Sequence, residues 1–549
     1  MRRLASLSLL LGAVFLGACG STSSTGGNNN GGGGTPPPGG TGLYAVVAWG
    51  ELGMHCIDGK DYSVFAVLPP YNTIHAQVIS KGSSSPLVTS GVTVTYEAVA
   101  DAAGSINTGS AAKTNFWTYV QALFHANVAP DVGITNVGVQ SLTPKPMTFD
   151  TALGNWKAEG IPTIPYDDAG ASNAYPMAKV VVRDAQNAVL ATTTVVLAVS
   201  DEMSCRTCHA SGSNPAAMPA SGWENAADPA KDVKWNILRL HDQNQNVAAM
   251  LPALAAAGYV YQASLYDTAK AGTPILCAAC HASNALGLAG IAPAAPLTTA
   301  MHTRHAGVVN LATGLTLDNS TTSAGSCYLC HPGVNTKCQR GAMHGIECFD
   351  CHGNLSVVGA PTRTGWLDLP ACQMCHNGGQ RYTTTFVSPG VWRTTSDTRF
   401  ATSPNEPVQG KSLYRYSTGH GGVYCSGCHG SQHAEYPSTQ ANDNAAPIAL
   451  QGYSAKLTEC ATCHATVPTT ANGGPHGLHT AGQAWVQAHQ GYARSNLAQC
   501  AACHGADYRG TVLSATATAR TFSVEERTRT FAAGTIIGCY SCHNGPNGG

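Results

Sequence analysis

Nine times in this 549-residue chain two cysteines stand three apart with a histidine directly after the second. The cysteine pairs are Cys205/Cys208, Cys277/Cys280, Cys327/Cys330, Cys348/Cys351, Cys372/Cys375, Cys425/Cys428, Cys460/Cys463, Cys500/Cys503 and Cys539/Cys542. The histidines that follow them are His209, His281, His331, His352, His376, His429, His464, His504 and His543. Each unit offers two thiols for thioether bonds to haem vinyl groups and one imidazole for the haem iron. With 21 Cys and 21 His in the chain, chance would give the five-residue pattern roughly 0.03 times. Zinc knuckles and a disulfide framework also use Cys-x-x-Cys, but neither explains a histidine after every second cysteine. The implied cofactors are nine c-type haems.

The stretch that holds the motifs contains nine more histidines: His241, His302, His305, His344, His420, His433, His476, His479 and His489. Their number equals the number of haems, which makes each a candidate distal iron ligand. His302 and His305 stand at i and i+3, as do His476 and His479, so each pair is placed to feed two adjacent haems from one turn. Methionine is the competing sixth ligand and would raise the potential. Met203, Met218, Met250, Met301, Met343 and Met374 are available, the last of them inside a Cys-x-x-Cys loop. Iron held by two histidines has no vacant site, so no catalytic residue is expected. The alternative is a reductase of nitrite, hydroxylamine or a sulfur oxyanion, which needs one open-site haem. Such nitrite reductases often carry Lys in place of the motif histidine, and no such variant occurs here. Haems as structural staples of an adhesin are a third reading, and nine exceed what stapling requires.

Two regions must position these groups. Residues 43–200 carry no motif and read as an all-β, sandwich-like domain, because Val92, Val94 and Tyr96 alternate with Thr93, Thr95 and Glu97. Further strands are expected at 44–49, 62–68, 178–183 and 189–199, the last two joined by a turn at 184–187. His55, His75 and His125 read as ordinary histidines of this domain, with His55 as a minority candidate for capping a haem. Residues 201–549 read as a nonahaem cytochrome c domain of short helices and loops wrapped around stacked haems. At about 38 residues per haem there is too little chain to build a side-chain core around each cofactor. The fold class expected is therefore mixed. Helices are expected at 235–241 and 484–489, where Trp485 and His489 share a face. Spacings of 21 and 24 residues tie the third, fourth and fifth motifs most closely.

Residues 1–18 read as a signal peptide, with Arg2 and Arg3 before a short apolar run and a lipobox-like Leu16-Gly17-Ala18-Cys19. Cys19 is then the lipidated residue, and at about 0.8 kcal/mol per buried methylene several acyl chains hold a protein on a membrane. Residues 19–42 form a Gly/Ser/Asn/Pro tether with a reach of roughly 5–6 Å times the square root of its length. The two remaining cysteines, Cys56 and Cys338, are open between a disulfide and two buried thiols. The formal net charge of −1 omits the haem propionates, so nucleic acid is excluded as a natural partner, and a basic cytochrome or positively charged mineral is favoured.

Several strings resemble outer-surface multihaem c-type cytochromes, lipoproteins of dissimilatory metal-reducing bacteria. They are Met301-His302-Thr303-Arg304-His305, Cys327-Tyr328-Leu329-Cys330-His331-Pro332-Gly333, Lys337-Cys338-Gln339-Arg340-Gly341 and Trp366-Leu367-Asp368. Tyr416-Ser417-Thr418-Gly419-His420-Gly421-Gly422, Gly473-Gly474-Pro475-His476-Gly477, Leu52-Gly53-Met54-His55-Cys56 and Ser200-Asp201-Glu202-Met203 join them. The resemblance implies electron transfer from the cell envelope to metal oxides, electrodes or partner cytochromes, from an outer-membrane position at the cell surface, with the periplasmic face as the alternative. Some relatives form filaments, and a retained lipid anchor argues against release as a free fibre.

Overall fold

The computed structural model describes residues 42–82, 84–203, 205–377, 380–394 and 413–546. The signal-like segment, Cys19 and the tether up to residue 41 lie outside the described residues. Two sheets dominate the first region. In one, Tyr44–Gly50 pairs antiparallel with Thr73–Ser80, which pairs with Asn155–Glu159, itself paired with Thr148–Asp150; Leu87–Val88 adds a fifth strand beside Thr73–Ser80. The other runs Val189–Val196, Met177–Arg183, Thr93–Val99, Lys145–Pro146. Val46, Ala48, Ile74, Ala76 and Val78 of the first interdigitate with Val94, Tyr96, Ala178, Val180 and Val182 of the second in one core. That is the arrangement period-two patterning dictates, since alternate residues of Thr93–Val99 are buried.

Three sequence expectations change. The strand expected over 62–68 shrinks to Phe65–Ala66, parallel to Ile275–Leu276. The Val67 and Leu68 N–H groups donate instead to the Asp58 carboxylate, and the Lys234 ammonium takes the Phe65 carbonyl, so the ladder cannot extend. The strand expected over 189–199 ends at Val196, and Val199–Ser200 leaves the sheet to pair parallel with His55–Cys56. The region is also not purely β: Phe116–Phe124 is a helix that buries Phe116, Val120 and Leu123, an apolar set at helical spacing. These residues form a second core with Trp235, Leu238, Tyr261, Leu265, Ile275 and Cys280, so chain from both sides of residue 200 shares one interior.

Beyond residue 205 the elements are short, and two longer helices contain the stretches expected to be helical. Pro229–Asn244 starts on an Asp228 cap that accepts the Ala230 and Lys231 N–H groups, with Pro229 in the first turn. Gln483–His504 runs on well past residue 489 and is kinked at Asn496, where φ is −137°. It contains no buried residue, and neither does Leu297–Ala306. Among the described residues no helix is long and apolar enough to cross a membrane.

Candidate functional site

Most motifs fold as a single helical or 3-10 turn, among them Arg206–His209, Cys277–Cys280, Cys348–His352, Cys425–His429 and Cys539–Ser541. The motif histidine N–H donates to the carbonyl of the first cysteine at 2.9 Å for His209, 3.0 Å for His281, 2.8 Å for His331, 2.9 Å for His464 and 3.0 Å for His543. That bond closes one turn and brings residues i, i+3 and i+4 onto one face, so two sulfurs and an imidazole point the same way. After three motifs the chain leaves through Gly353, Gly430 and Gly505, at φ of 81°, 88° and 81°, values that L side chains rarely adopt.

All nine turns open into one continuous cavity of about 3860 Å³. Every motif cysteine and histidine lines it. Single-ligand pockets run about 300–1,000 Å³, so the volume suits a row of large cofactors better than one small molecule.

Eight motif histidines each face a histidine from outside the motifs. The ring centroids are 6.3 Å apart for His209 and His305, 6.5 Å for His281 and His241, 6.1 Å for His331 and His302, and 6.0 Å for His352 and His433. They are 5.9 Å apart for His429 and His476, 6.1 Å for His464 and His420, 6.2 Å for His504 and His479, and 6.1 Å for His543 and His489. Two imidazoles bound on opposite sides of one metal, at about 2 Å per bond, have centroids roughly 6 Å apart. The residues present therefore fit haem iron held from both sides. Four-ligand zinc does not fit: among the described residues no group of three or more His, Cys, Asp or Glu converges to hold a metal ion.

The ring nitrogens are set for ligation. Nδ1 donates to a backbone carbonyl in His281 (Ala295, 2.7 Å), His302 (Thr298, 2.7 Å), His305 (Met301, 2.6 Å), His489 (Val486, 2.9 Å) and His504 (Ile537, 2.7 Å). A carbonyl only accepts, so the proton stays on Nδ1 and the lone pair on Nε2. Burial favours the neutral imidazole: it holds His209 down to about 4, His331 to about 4, His352 to about 3, His429 to about 3 and His433 to about 4.

The i, i+3 pairs diverge. On the helix Leu297–Ala306, His302 faces the third motif and His305 the first. From 476–479, His476 faces the sixth motif and His479 the eighth. The helix Gln483–His504 carries both His504 of the eighth motif and His489, which faces the ninth.

Two histidines remain to be placed, His376 of the fifth motif and the candidate His344. His344 is exposed, its Nδ1 donates to the Gly341 carbonyl at 2.9 Å, and it lies off the cavity wall, whereas His376 lines the cavity. Met203, Met250, Met301 and Met343 line the cavity; Met218 and Met374 do not. His55, the minority candidate, is buried off the cavity with its ring 6.0 Å from Tyr71. His75 stacks on Trp49 and bonds Asn155, and His125 closes the helix Phe116–Phe124 against Tyr259. Cys56 and Cys338 are both free thiols on the cavity wall. Sequence reasoning missed Ser85, whose hydroxyl meets His464 Nδ1 at 2.9 Å across 379 residues. No local pattern marks it.

Cysteine–histidine turns set opposite paired imidazoles are an arrangement that suits c-type haems. Residues 340–547 match the family model described as outer membrane cytochrome MtrC/MtrF-like, domains II/IV, a stretch that contains six of the nine motifs. The match makes this stretch similar to outer-membrane cytochromes. No curated protein and no solved structure matches the chain.

Proposed function

We propose that the protein is a nonahaem c-type cytochrome that carries electrons through mostly bis-histidine sites, from the cell envelope to metal oxides, electrodes or partner cytochromes outside the cell. The observation that carries this reading is the single cavity lined by all nine motifs, with eight facing histidine pairs along it. When bound, haem supplies reversible one-electron chemistry at iron. The eighteen motif cysteines fix the positions of the sites, and the motif histidines with His241, His302, His305, His420, His433, His476, His479 and His489 close the irons to other ligands. Shared elements set the order: one helix holds ligands of the first and third sites, another those of the eighth and ninth. The chain thus spaces the sites, excludes water and tunes their potentials.

The family match supports an outer-membrane setting and c-type haems; the count of nine, the signal peptide and lipidation at Cys19 belong to this proposal. Mass spectrometry of the intact mature protein tests the count and the anchor together. The expected mass includes nine covalent haems and an acylated Cys19; fewer haems or a bare cysteine would contradict it. Protease treatment of whole cells tests the location. Cleavage of the protein with loss of Fe(III) oxide reduction is expected, and protection from protease would contradict a surface site.

A further inference from the structure

His433 is held from several sides. Its backbone is left-handed, with φ of 68°, its carbonyl accepts the Arg340 and Gly341 N–H groups at 2.8 and 2.7 Å, and its own N–H donates to Glu435 at 2.8 Å. Arg340 is in turn fixed by Asp443 through bonds of 2.6 and 2.9 Å, with the two side chains only 1% and 5% exposed. Together these bonds clamp residues 338–341 against His433 and bring the Cys338 sulfur to 3.6 Å from its Nδ1. Several other ligand-placed imidazoles donate Nδ1–H to carbonyl oxygens, as His302 and His305 do at 2.7 and 2.6 Å, whereas Nδ1 of His209, His241 and His543 meets no acceptor within hydrogen-bond distance. A thiol sulfur is a much weaker acceptor than a carbonyl oxygen. The strength of the outer acceptor sets how basic a ligand imidazole is, and a more basic ligand favours ferric iron and lowers the potential.

We infer that Cys338 is a positioning residue for electron transfer: its sulfur accepts the Nδ1–H of His433 and keeps the His352/His433 iron site at a higher potential than an oxygen acceptor would. The inference rests on the reading of His433 as an iron ligand. Cys338 therefore has a use as a thiol, which neither haem attachment nor a disulfide assigns to it.

EPR-monitored potentiometric titration of the full-length holoprotein tests this with Cys338→Ser and Cys338→Ala. Both variants are expected to keep nine haems and the wild-type low-spin signals. One of the nine one-electron steps moves to lower potential in the serine variant, which offers oxygen, and to higher potential in the alanine variant, which offers nothing. A merely structural cysteine would shift both the same way or neither, and either result overturns the inference. Should the alanine variant fail to load nine haems, the serine variant decides alone: a lowered step supports the inference, an unmoved or raised one overturns it. His433→Ala separates the two readings. Loss of one low-spin iron is expected there, and if none is lost it is the ligand assignment that fails rather than the tuning.

Discussion

The two-sheet core and the motif region solve the problem of an interior in different ways. In the first, side chains fill the space: Ile74, Ala76, Tyr96, Ala178 and Val180 are wholly buried and pack against one another. In the second, the helical stretch Gln483–His504, kinked at Asn496, and a 10-residue helix hold only half-buried and exposed residues, and turn imidazoles and cysteines toward a shared cavity. The lesson is that a chain with so few apolar runs leaves space beside its motifs that its own side chains do not fill. The two designs meet at a seam, where Trp49 stacks on Tyr424 and Arg340 donates to the Gly53 carbonyl.

The comparison breaks most visibly if haem is withheld. Protein made without haem attachment should be cut by protease throughout the stretch beyond residue 296, while the 44–200 strands, with the 229–280 stretch that shares their second core, survive as a resistant fragment on a gel. Equal resistance of the two regions would remove the distinction.

At the seam, Arg340→Met leaves the buried Asp443 carboxylate without its partner and should cost about 3–5 kcal/mol in denaturant unfolding. Arg340→Met with Asp443→Leu should regain most of that, whereas an equal loss in the double variant would show that the pair is not what matters.

Inside the sandwich, Ile74→Ala should cost about 2–5 kcal/mol and leave the haem absorption spectrum unchanged. A spectral change would mean that the two interiors are coupled through the sheet.

The smallest effect sharpens the comparison by pH. Burial pushes the Asp58 carboxyl up to about 6, against about 3.9 in an unfolded chain. The folded protein therefore binds more protons than the unfolded one between these values, so the Asp58 contribution is fully present below pH 4 and is lost as pH rises through 6. Asp58→Asn should then raise stability by roughly 1–3 kcal/mol at pH 8 and by nothing at pH 4, measured by urea unfolding. A gain of the same size at both pH values would assign the effect to packing.

How much of this could be read from the chain follows from distance along it. The attachment turns were legible because Cys, Cys and His act within five residues, and helix geometry fixes their common face. The alternating strand around Tyr96 was legible for the same local reason. The helix Phe116–Phe124 also carried its signal, Phe116, Val120 and Leu123 at helical spacing, but within a stretch whose neighbours favour strands. Ligand pairing had no local signal: His209 meets His305 from 96 positions away, and counting nine candidates does not say which faces which. The count itself conceals a difference, since His344 lies off the cavity wall while the other eight candidates line it. The strand at 62–68 was misread because the Asp58 carboxylate competes for its backbone N–H groups, which side-chain alternation does not record.

The account stands most directly on iron held from both sides. Low-temperature EPR of the fully oxidised holoprotein, with haem counted per chain, reads the spin state of every iron. At least eight low-spin ferric irons for nine haems are expected, and His305→Ala and His489→Ala should each convert one to high spin while His75→Ala converts none. Several high-spin irons in the unsubstituted protein, or histidine variants that leave the spectrum unchanged, would contradict the paired-ligand relay.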